Sequence, residues 1–384
     1  MPARTEYDLS ALFEPLEIRN ISLKSRFVMP AMGRHWNEDG RPSQRLARYY
    51  RRRVEGGTGL IISEACAIDH PSATSGTGSG RATAYARDGW ARCAEEVRAA
   101  GGHFFLQLWH FGGMRKEGVP GPFARYPTLS PSGFVTGKHL NGRPASLREL
   151  ADIKDAFISA AVLAKEAGAS GIEVHGAHGF LLDQFFWRET NRRTDVYGGP
   201  EIADRARFPV EVVAGIRDAV GEDFVIGYRF SQWKEWDYEA TVVDSPAELE
   251  EMLRLLRTAG VDIFHASARR FWVPEWPGSD LGVAGWTKKL TDATVIGVGS
   301  VGLDIPVMES LHGDVAHGTG VESFLELERR FARGDFDLIA VGRSQISNPD
   351  WVRKVRDGDV GAIRVFSKAH LEEDEDALEA ASSA

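Results

Sequence analysis

Eight short apolar segments recur along the chain, and segments of helical or loop character separate them. Continuous apolar runs are typical of strands buried on both faces, and such strands alternating with helices form a parallel sheet covered by helices. Eight such units in one chain predict a (β/α)8 TIM barrel of the α/β class, ahead of a doubly wound open sheet. The eight candidate strands are residues 26–31, 59–65, 103–109, 171–176, 224–230, 262–267, 294–300 and 336–342.

Helical patterns occupy three of the intervening segments, residues 89–101, 147–168 and 245–260. Ser245 and Gly260 are predicted to cap the last of these helices, because serine is a favoured N-cap and glycine a favoured C-cap. These helices supply the outer layer that a set of buried parallel strands requires.

Two longer segments lack a regular pattern. Residues 111–146 are rich in Gly, Pro and Ser, and residues 268–286 contain three tryptophans and two prolines. Loops that follow barrel strands lie on the active-site face, so we interpret both segments as inserted active-site loops. The sequence predicts one barrel domain over residues 1–370 and a disordered acidic tail over residues 371–384.

Composition and charge exclude several classes of protein. A net charge of −9 over 384 residues argues against nucleic acid or an anionic membrane as a partner. Cys66 and Cys93 are the only cysteines, which removes a cysteine-ligated iron–sulfur cluster, a zinc ribbon and a disulfide framework. No apolar run reaches the roughly 18 residues of a membrane span, and the first residues do not resemble a secretory signal. We expect a cytoplasmic protein with a small-molecule partner, and we leave open whether it forms a homo-oligomer.

Polar residues and glycine turns follow several candidate strands directly. His175 and His178 end the fourth strand, and Arg229 lies at the end of the fifth. The turns at 298–302 and 340–343 follow the last two strands, where barrels often bind a phosphate through backbone N–H groups. Either these glycines only turn the chain, or the two turns together form a phosphate site in which the arginine of the second turn contributes a cation.

The histidine pair allows more than one role. Two imidazoles at a strand end can donate N–H groups to one oxygen and stabilise negative charge that develops on it. They could instead be structural residues of the barrel rim. The metalloprotease motif H-E-x-x-H is absent and we predict no metal, although spacing alone leaves open a three-histidine site with His110, His312 or His317.

One block of sequence is far more specific than these patterns. "HGAHGFLLDQFF" at 175–186, followed by "TNRRTDVYGGP" at 190–200, resembles the signature of the old yellow enzyme family of FMN-dependent ene-reductases. "LFEPLEIRNISLKSRFVMPAMGR" at 12–34 resembles the family's first strand, and further blocks match in order up to about residue 355. The resemblance implies an FMN-binding (β/α)8 barrel. It also implies an NAD(P)H:flavin oxidoreductase that reduces the C=C bond of α,β-unsaturated carbonyl compounds, with NADH or NADPH as reductant.

The resemblance further implies which residues bind FMN. One edge of the isoalloxazine ring is expected to contact Pro30, Ala31, Met32 and Gly33, and its pyrimidine side is expected to contact Ala65 and Gln107. The N1 and O2 atoms are expected to face Arg229. The ribityl phosphate is expected to bind Gly299, Ser300, Gly342 and Arg343. The guanidinium would stabilise negative charge on the reduced ring.

By the same resemblance, His175 and His178 are the catalytic pair that hydrogen-bonds the substrate carbonyl while hydride passes from flavin N5 to the β-carbon. The family usually has tyrosine at position 180 as the proton donor, and Phe180 has no exchangeable proton. Water or a residue of the two inserted loops could donate instead, or a strongly activated substrate could make the tyrosine dispensable. Alternatively, the enzyme could be an oxidative demethylase or dehydrogenase of an amine or other small substrate.

Two further predictions concern the substrate side and the flavin edge. Trp109, Phe180, Phe271 and Trp272 are predicted to form the wall of a broad apolar pocket that suits a flat substrate. Gly33 is a second departure, since the family usually has a Thr or Cys there that can hydrogen-bond the flavin near O4.

Overall fold

Eight parallel strands form the centre of the computed structural model, which describes residues 7–76, 78–304, 316–318 and 320–373. In chain order they are β1 (Phe27–Met29), β2 (Leu60–Ile68), β3 (His103–Trp109), β4 (Gly171–His178), β5 (Val225–Lys234), β6 (Ile263–Ser267), β7 (Thr294–Val298) and β8 (Leu338–Ala340). Each strand pairs with the next, and β8 pairs with β1, which closes the sheet into a barrel. The predicted (β/α)8 fold is confirmed, and all eight candidate strands are present.

Helices form the outer layer of the barrel. They are α1 (Gln44–Glu55), α2 (Arg87–Ala99), α3 (Leu147–Glu166), α4 (Leu181–Phe186), α5 (Ile202–Val220), α6 (Pro246–Ala259), α7 (Val283–Leu290), α8 (Gly320–Arg333), α9 (Arg343–Ser347) and α10 (Trp351–Arg356). The predicted caps of α6 are present: the Ser245 hydroxyl accepts the N–H of Glu248, and Gly260 ends the helix in the left-handed conformation. Over the described residues, no helix is both long enough and apolar enough to cross a membrane.

A β-hairpin, Leu16–Ile18 and Ile21–Leu23, covers the amino-terminal end of the barrel. Its apolar side chains pack with inward-facing residues of the strands, among them Val28, Leu60 and Phe105. Because this end is filled with apolar side chains, space for a ligand remains at the carboxyl-terminal end of the strands, where polar residues collect.

The segment 111–146 is an ordered insertion rather than a long free loop. Arg115 is fully buried, and its guanidinium donates to the carbonyls of Thr74, Phe123 and Tyr126. Within it, Phe134 and Leu140 form an antiparallel bridge. The predicted tail falls almost wholly on residues 374–384, which lie outside the described residues.

Candidate active site

A cavity of about 560 Å³ opens at the carboxyl-terminal end of the barrel strands, and it is large enough for a cofactor ring and a small substrate. It brings together residues from all eight strands or the turns that follow them. All the predicted site residues except two line it: Pro30, Ala31, Met32, Gly33, Ala65, Gln107, Trp109, His175, His178, Phe180, Arg229, Gly299, Ser300, Gly342 and Arg343.

Phe271 and Trp272 are the exceptions, and their prediction as pocket wall was wrong. Their rings pack against each other with centroids 5.1 Å apart, and Phe271 belongs to the core between strands and helices. The buried guanidinium of Arg330 in α8 donates to the Trp272 carbonyl at 2.7 Å. This hydrogen bond holds the loop against the outer helices, so the two aromatic rings do not reach the cavity.

His175 and His178 lie side by side at the end of β4, with ring centroids 5.2 Å apart and ring planes nearly perpendicular. His178 adopts φ 62°, a left-handed conformation that is uncommon for a residue with a side chain. Burial, reinforced by the positive charge of Arg229, lowers the pKa of His175 to about 3 and that of His178 well below its ordinary value. Both imidazoles are therefore neutral near neutral pH, and each has one N–H group to donate.

The hydrogen bonds around the pair assign where each proton resides. The N–H of Ala177 donates to Nδ1 of His175, which places the proton of that ring on Nε2. Arg229 donates to the Ser267 hydroxyl at 3.4 Å, and the hydroxyl lies 2.8 Å from Nε2 of His178. The hydroxyl can thus donate its own proton to that nitrogen, which leaves the proton of His178 on Nδ1.

We predict that Ser267→Ala slows turnover modestly, by less than about tenfold, because one hydrogen bond that orients a ring contributes about 1 kcal/mol. Without the hydroxyl, His178 can exchange its tautomer, so fewer molecules present an N–H group to the substrate. Steady-state kinetics with Ser267→Thr as the control, which retains a hydroxyl, checks this. Equal loss in both variants would argue against an orienting role.

Arg229 projects from β5 into the cavity, and among the described residues its buried Nε has no hydrogen-bond partner. Burial lowers its pKa, but a guanidinium remains charged at neutral pH. Glu173 supplies the nearby negative charge. Its carboxylate accepts from Gln107 Nε2 at 2.7 Å and pairs with His265 Nδ1 at 2.6 Å. An unpartnered donor on a buried cation suits an electron-rich ring edge such as that of a flavin.

The two predicted phosphate turns meet at the opposite end of the cavity. Gly299 has φ 146°, and a side chain there would place Cβ 2.7 Å from the carbonyl oxygen of Ala268. A guanidinium nitrogen of Arg343 lies 3.3 Å from the Ser300 hydroxyl, so the arginine of the last turn reaches across to the previous one. Backbone approach at a glycine together with a guanidinium is the donor set that a phosphate requires. The cavity therefore fits FMN at both its ends.

Gly33 lies next to the side chain of His35. A Cβ atom at this position would lie 2.9 Å from Nε2 of His35, closer than side chains normally approach. His35 is exposed, lines the cavity and has φ 55°. The imidazole of His35 is the exposed end of a side chain and can move aside, so this contact does not by itself require glycine at position 33.

Several cavity residues were not predicted from the sequence. Trp233, Glu235 and Tyr238 line the wall beside His178, and the rings of Trp233 and His178 are 4.5 Å apart. They lie there because β5 continues to Lys234, beyond its predicted end at residue 230. The only signal in the sequence is the unusual density of aromatic and charged residues over 233–239.

The structure also bears on the alternative roles of the histidines. His110 is engaged elsewhere, with Nε2 2.9 Å from the Ser72 hydroxyl and Nδ1 accepting the N–H of Gly112. Nowhere in the described part of the chain are three His, Cys, Asp or Glu residues grouped so that they could hold a metal ion. His312 lies outside the described residues.

A closed parallel barrel whose mouth combines a buried guanidinium, paired neutral imidazoles and two phosphate-type turns defines a flavin-binding oxidoreductase barrel. Comparison with known proteins agrees. The sequence model described as "NADH:flavin oxidoreductase / NADH oxidase family" matches residues 11–309. The chain belongs to this family, the old yellow enzyme family, and the prediction of FMN with NADH or NADPH as cofactors is confirmed.

Characterised relatives extend the match over most of the chain. A protein named NADH oxidase from Thermoanaerobacter brockii is 35% identical over 92% of this chain. The chain spans about half of that longer relative, 52% of its length. A protein named 12-oxophytodienoate reductase 7 from Oryza sativa subsp. japonica is 30% identical over 92% of this chain and 90% of its own length.

Solved structures show the same fold. Morphinone reductase in complex with tetrahydroNAD superposes with a TM-score of 0.76 at 27% identity, covering 94% of this chain and 93% of that chain. An old yellow enzyme from Pichia sp. superposes with a TM-score of 0.77 at 24% identity, over 94% and 90% of the two chains. The second comparison supports the barrel architecture only.

Proposed function

We propose that this protein is an FMN-dependent oxidoreductase that uses NADH or NADPH to reduce the C=C bond of α,β-unsaturated carbonyl compounds. The observation that carries the proposal is the pair of neutral imidazoles, His175 and His178, beside Arg229 in one cavity. The relatives named as a 12-oxophytodienoate reductase and a morphinone reductase support it. We also propose that residues 1–370 form a single FMN-binding domain.

Bound FMN would supply hydride after it has taken two electrons from the nicotinamide. The protein's own contribution is binding and electrostatics. Nε2–H of His175 and Nδ1–H of His178 would bind the carbonyl oxygen, and both bonds would strengthen as negative charge develops on it. Arg229 and Gln107 would hold the pyrimidine side of the ring, and Arg343 the phosphate.

The wall beside His175 is apolar. Trp109, Phe111 and Phe180 form an aromatic cluster with centroid distances of 4.0 to 5.7 Å, and the ring of Phe180 lies 4.9 Å from that of His175. Such a surface favours a flat, apolar substrate and limits the access of water to the reacting carbons.

Phe180 also favours a second candidate function, the FMN-dependent oxidative demethylation or dehydrogenation of an amine. Oxidation of a substrate removes hydride and needs no acid for an α-carbon, so the missing hydroxyl would not impair it. The neutral imidazoles argue against it. They would not repel an ammonium group, but they carry no negative charge that would bind one.

One anaerobic experiment tests the proposal against this alternative. The flavin of the purified protein is expected to bleach with NADH or NADPH and to regain its absorbance when 2-cyclohexenone is added. Bleaching by a panel of methylated amines, with little reduction by either nicotinamide, would instead favour the alternative. The cytoplasmic location remains a prediction from the sequence, and the oligomeric state stays open.

A further inference from the structure

We propose that Glu235 is the proton donor of this active site, and that it supplies the proton that Phe180 cannot. The inference rests on the proposed reduction of an enone and adds to it a residue that neither the sequence motif nor the family resemblance indicated. It depends on how two segments, residues 178–180 and 234–238, pack together at the cavity.

A buried ion pair joins the two segments. Lys234 Nζ and the Asp183 carboxylate are 2.7 Å apart and both are almost fully buried. The same carboxylate accepts the N–H of Gly179 at 2.6 Å. The N–H of Glu235 in turn donates to the carbonyl of His178 at 3.4 Å. These bonds fix Glu235 directly beside the residues that precede Phe180.

The contact at Gly179 shows how closely the segments approach. A Cβ atom added there would lie 2.1 Å from the ring of Trp236, so only glycine leaves room for this ring. The ring of Trp236 packs on Gly179, and the preceding residue, Glu235, lies along the cavity wall. It lines the cavity together with Phe180 and both histidines.

The carboxyl of Glu235 is available for chemistry. Among the described residues it has no hydrogen-bond or ion-pair partner, although it is half-buried. Burial raises its pKa to about 7, and Arg229 opposes this rise only in part. A carboxyl group that is partly protonated near neutral pH is matched to general acid catalysis. By contrast, Glu275 is hydrogen-bonded to Gln232 and lines a separate, smaller cavity.

The other ionisable groups of the cavity are less suited to the role. Glu64 already accepts from the N–H groups of Arg34 and His35 and from Asn37. His175 and His178 are assigned to the carbonyl oxygen, and the guanidinium groups of Arg229, Arg343 and Arg269 do not release protons. His35 is exposed at the flavin edge. Tyr238, whose ring lies under the Arg269 guanidinium at 4.4 Å, is the remaining rival.

The step balances as follows. Hydride, originating from NAD(P)H, adds to the β-carbon, and the π electrons move onto the carbonyl oxygen held by the imidazoles. The α-carbon then forms a C–H bond with the Glu235 proton as the O–H bond breaks and the carbonyl is restored. The resulting carboxylate takes a proton from water at the open side of the cavity.

Glu235→Gln tests the proposal, with Glu239→Gln as a matched control because Glu239 is an exposed carboxylate only four residues along the chain. In the wild type, reoxidation of the reduced protein by 2-cyclohexenone should slow as pH rises through about 7, where Glu235 loses its proton. Glu235→Gln should be at least about tenfold slower at pH 6 and should lose this dependence. Reduction by NAD(P)H should be unchanged, and Glu239→Gln should behave as the wild type.

A second readout does not depend on turnover. The absorbance of the oxidised bound flavin should shift with pH around 7 in the wild type and in Glu239→Gln, but not in Glu235→Gln. The proposal is overturned if Glu235→Gln keeps both pH dependences, or if Tyr238→Phe rather than Glu235→Gln abolishes the kinetic one. Failure of the wild type itself to be reoxidised by any enone would overturn the proposed function. The failure of the proposed function can therefore be told apart from the failure of the Glu235 proposal.

Discussion

Replacing His178 by alanine is expected to slow reoxidation of the reduced flavin by an enone about 10²–10³-fold. Loss of one preorganised donor to a developing oxyanion typically removes about 3 kcal/mol of transition-state stabilisation. The effect should be this large because the ring is buried and neutral, so its N–H group is not already solvated by water. Stopped-flow absorbance after anaerobic reduction measures this step on its own.

The control for this prediction is His178→Asn, since an amide retains an N–H donor at a similar distance from the backbone. It should recover part of the lost rate, whereas reduction of the flavin by NAD(P)H should proceed in both variants. His175→Ala should show a loss of the same order. An enone reaction that is insensitive to both alanine substitutions would mean that the carbonyl oxygen binds elsewhere.

Lys234→Met is expected to lower the free energy of unfolding by about 3–5 kcal/mol. The substitution leaves the Asp183 carboxylate buried without its cation, and breaking a buried pair by removing one partner has a cost of this size. Burial already raises the pKa of Asp183, so the variant should take up a proton at this carboxyl on folding. Urea unfolding followed by circular dichroism measures the loss.

The double variant Asp183→Asn with Lys234→Met separates charge from packing. Asparagine keeps an oxygen that can accept the N–H of Gly179 but carries no charge, so most of the stability should return. A single variant that loses less than about 1 kcal/mol would show that the pair contributes little. In that case the placement of Glu235 would depend on the Trp236 contact instead.

The barrel itself could be predicted because each strand buries both faces, which leaves a continuous apolar run in the sequence. The same principle explains why the predicted end of β5, residue 230, was too early. Its last residues include Gln232 and Lys234, which are polar and yet buried. Gln232 exchanges hydrogen bonds with the backbone of Val243, and Lys234 pairs with Asp183. Partners so far along the chain leave no periodic signal, so the strand was predicted to end early.

The cavity gathers the predicted residues that a motif fixes to a strand end, and it leaves out two residues whose direction depends on a loop. His175, Arg229 and the phosphate turns lie on or directly after strands, and a barrel directs these positions to one mouth. The aromatic rings of Phe271 and Trp272 gave no information on direction, which depends on Arg330 in a later helix. Glu173 was missed because its partners, Gln107 on β3 and His265 on β6, meet it only in the folded barrel.

The measurement that most directly tests the account is the two-electron midpoint potential of bound FMN in the wild type and in Arg229→Gln. If the guanidinium lies beside the ring edge that becomes negative on reduction, its removal should disfavour the reduced form by a few kcal/mol. The potential of the variant should then be lower by several tens of millivolts. An unchanged potential in a variant that still binds one FMN per chain would contradict the assignment of this cavity as the flavin site.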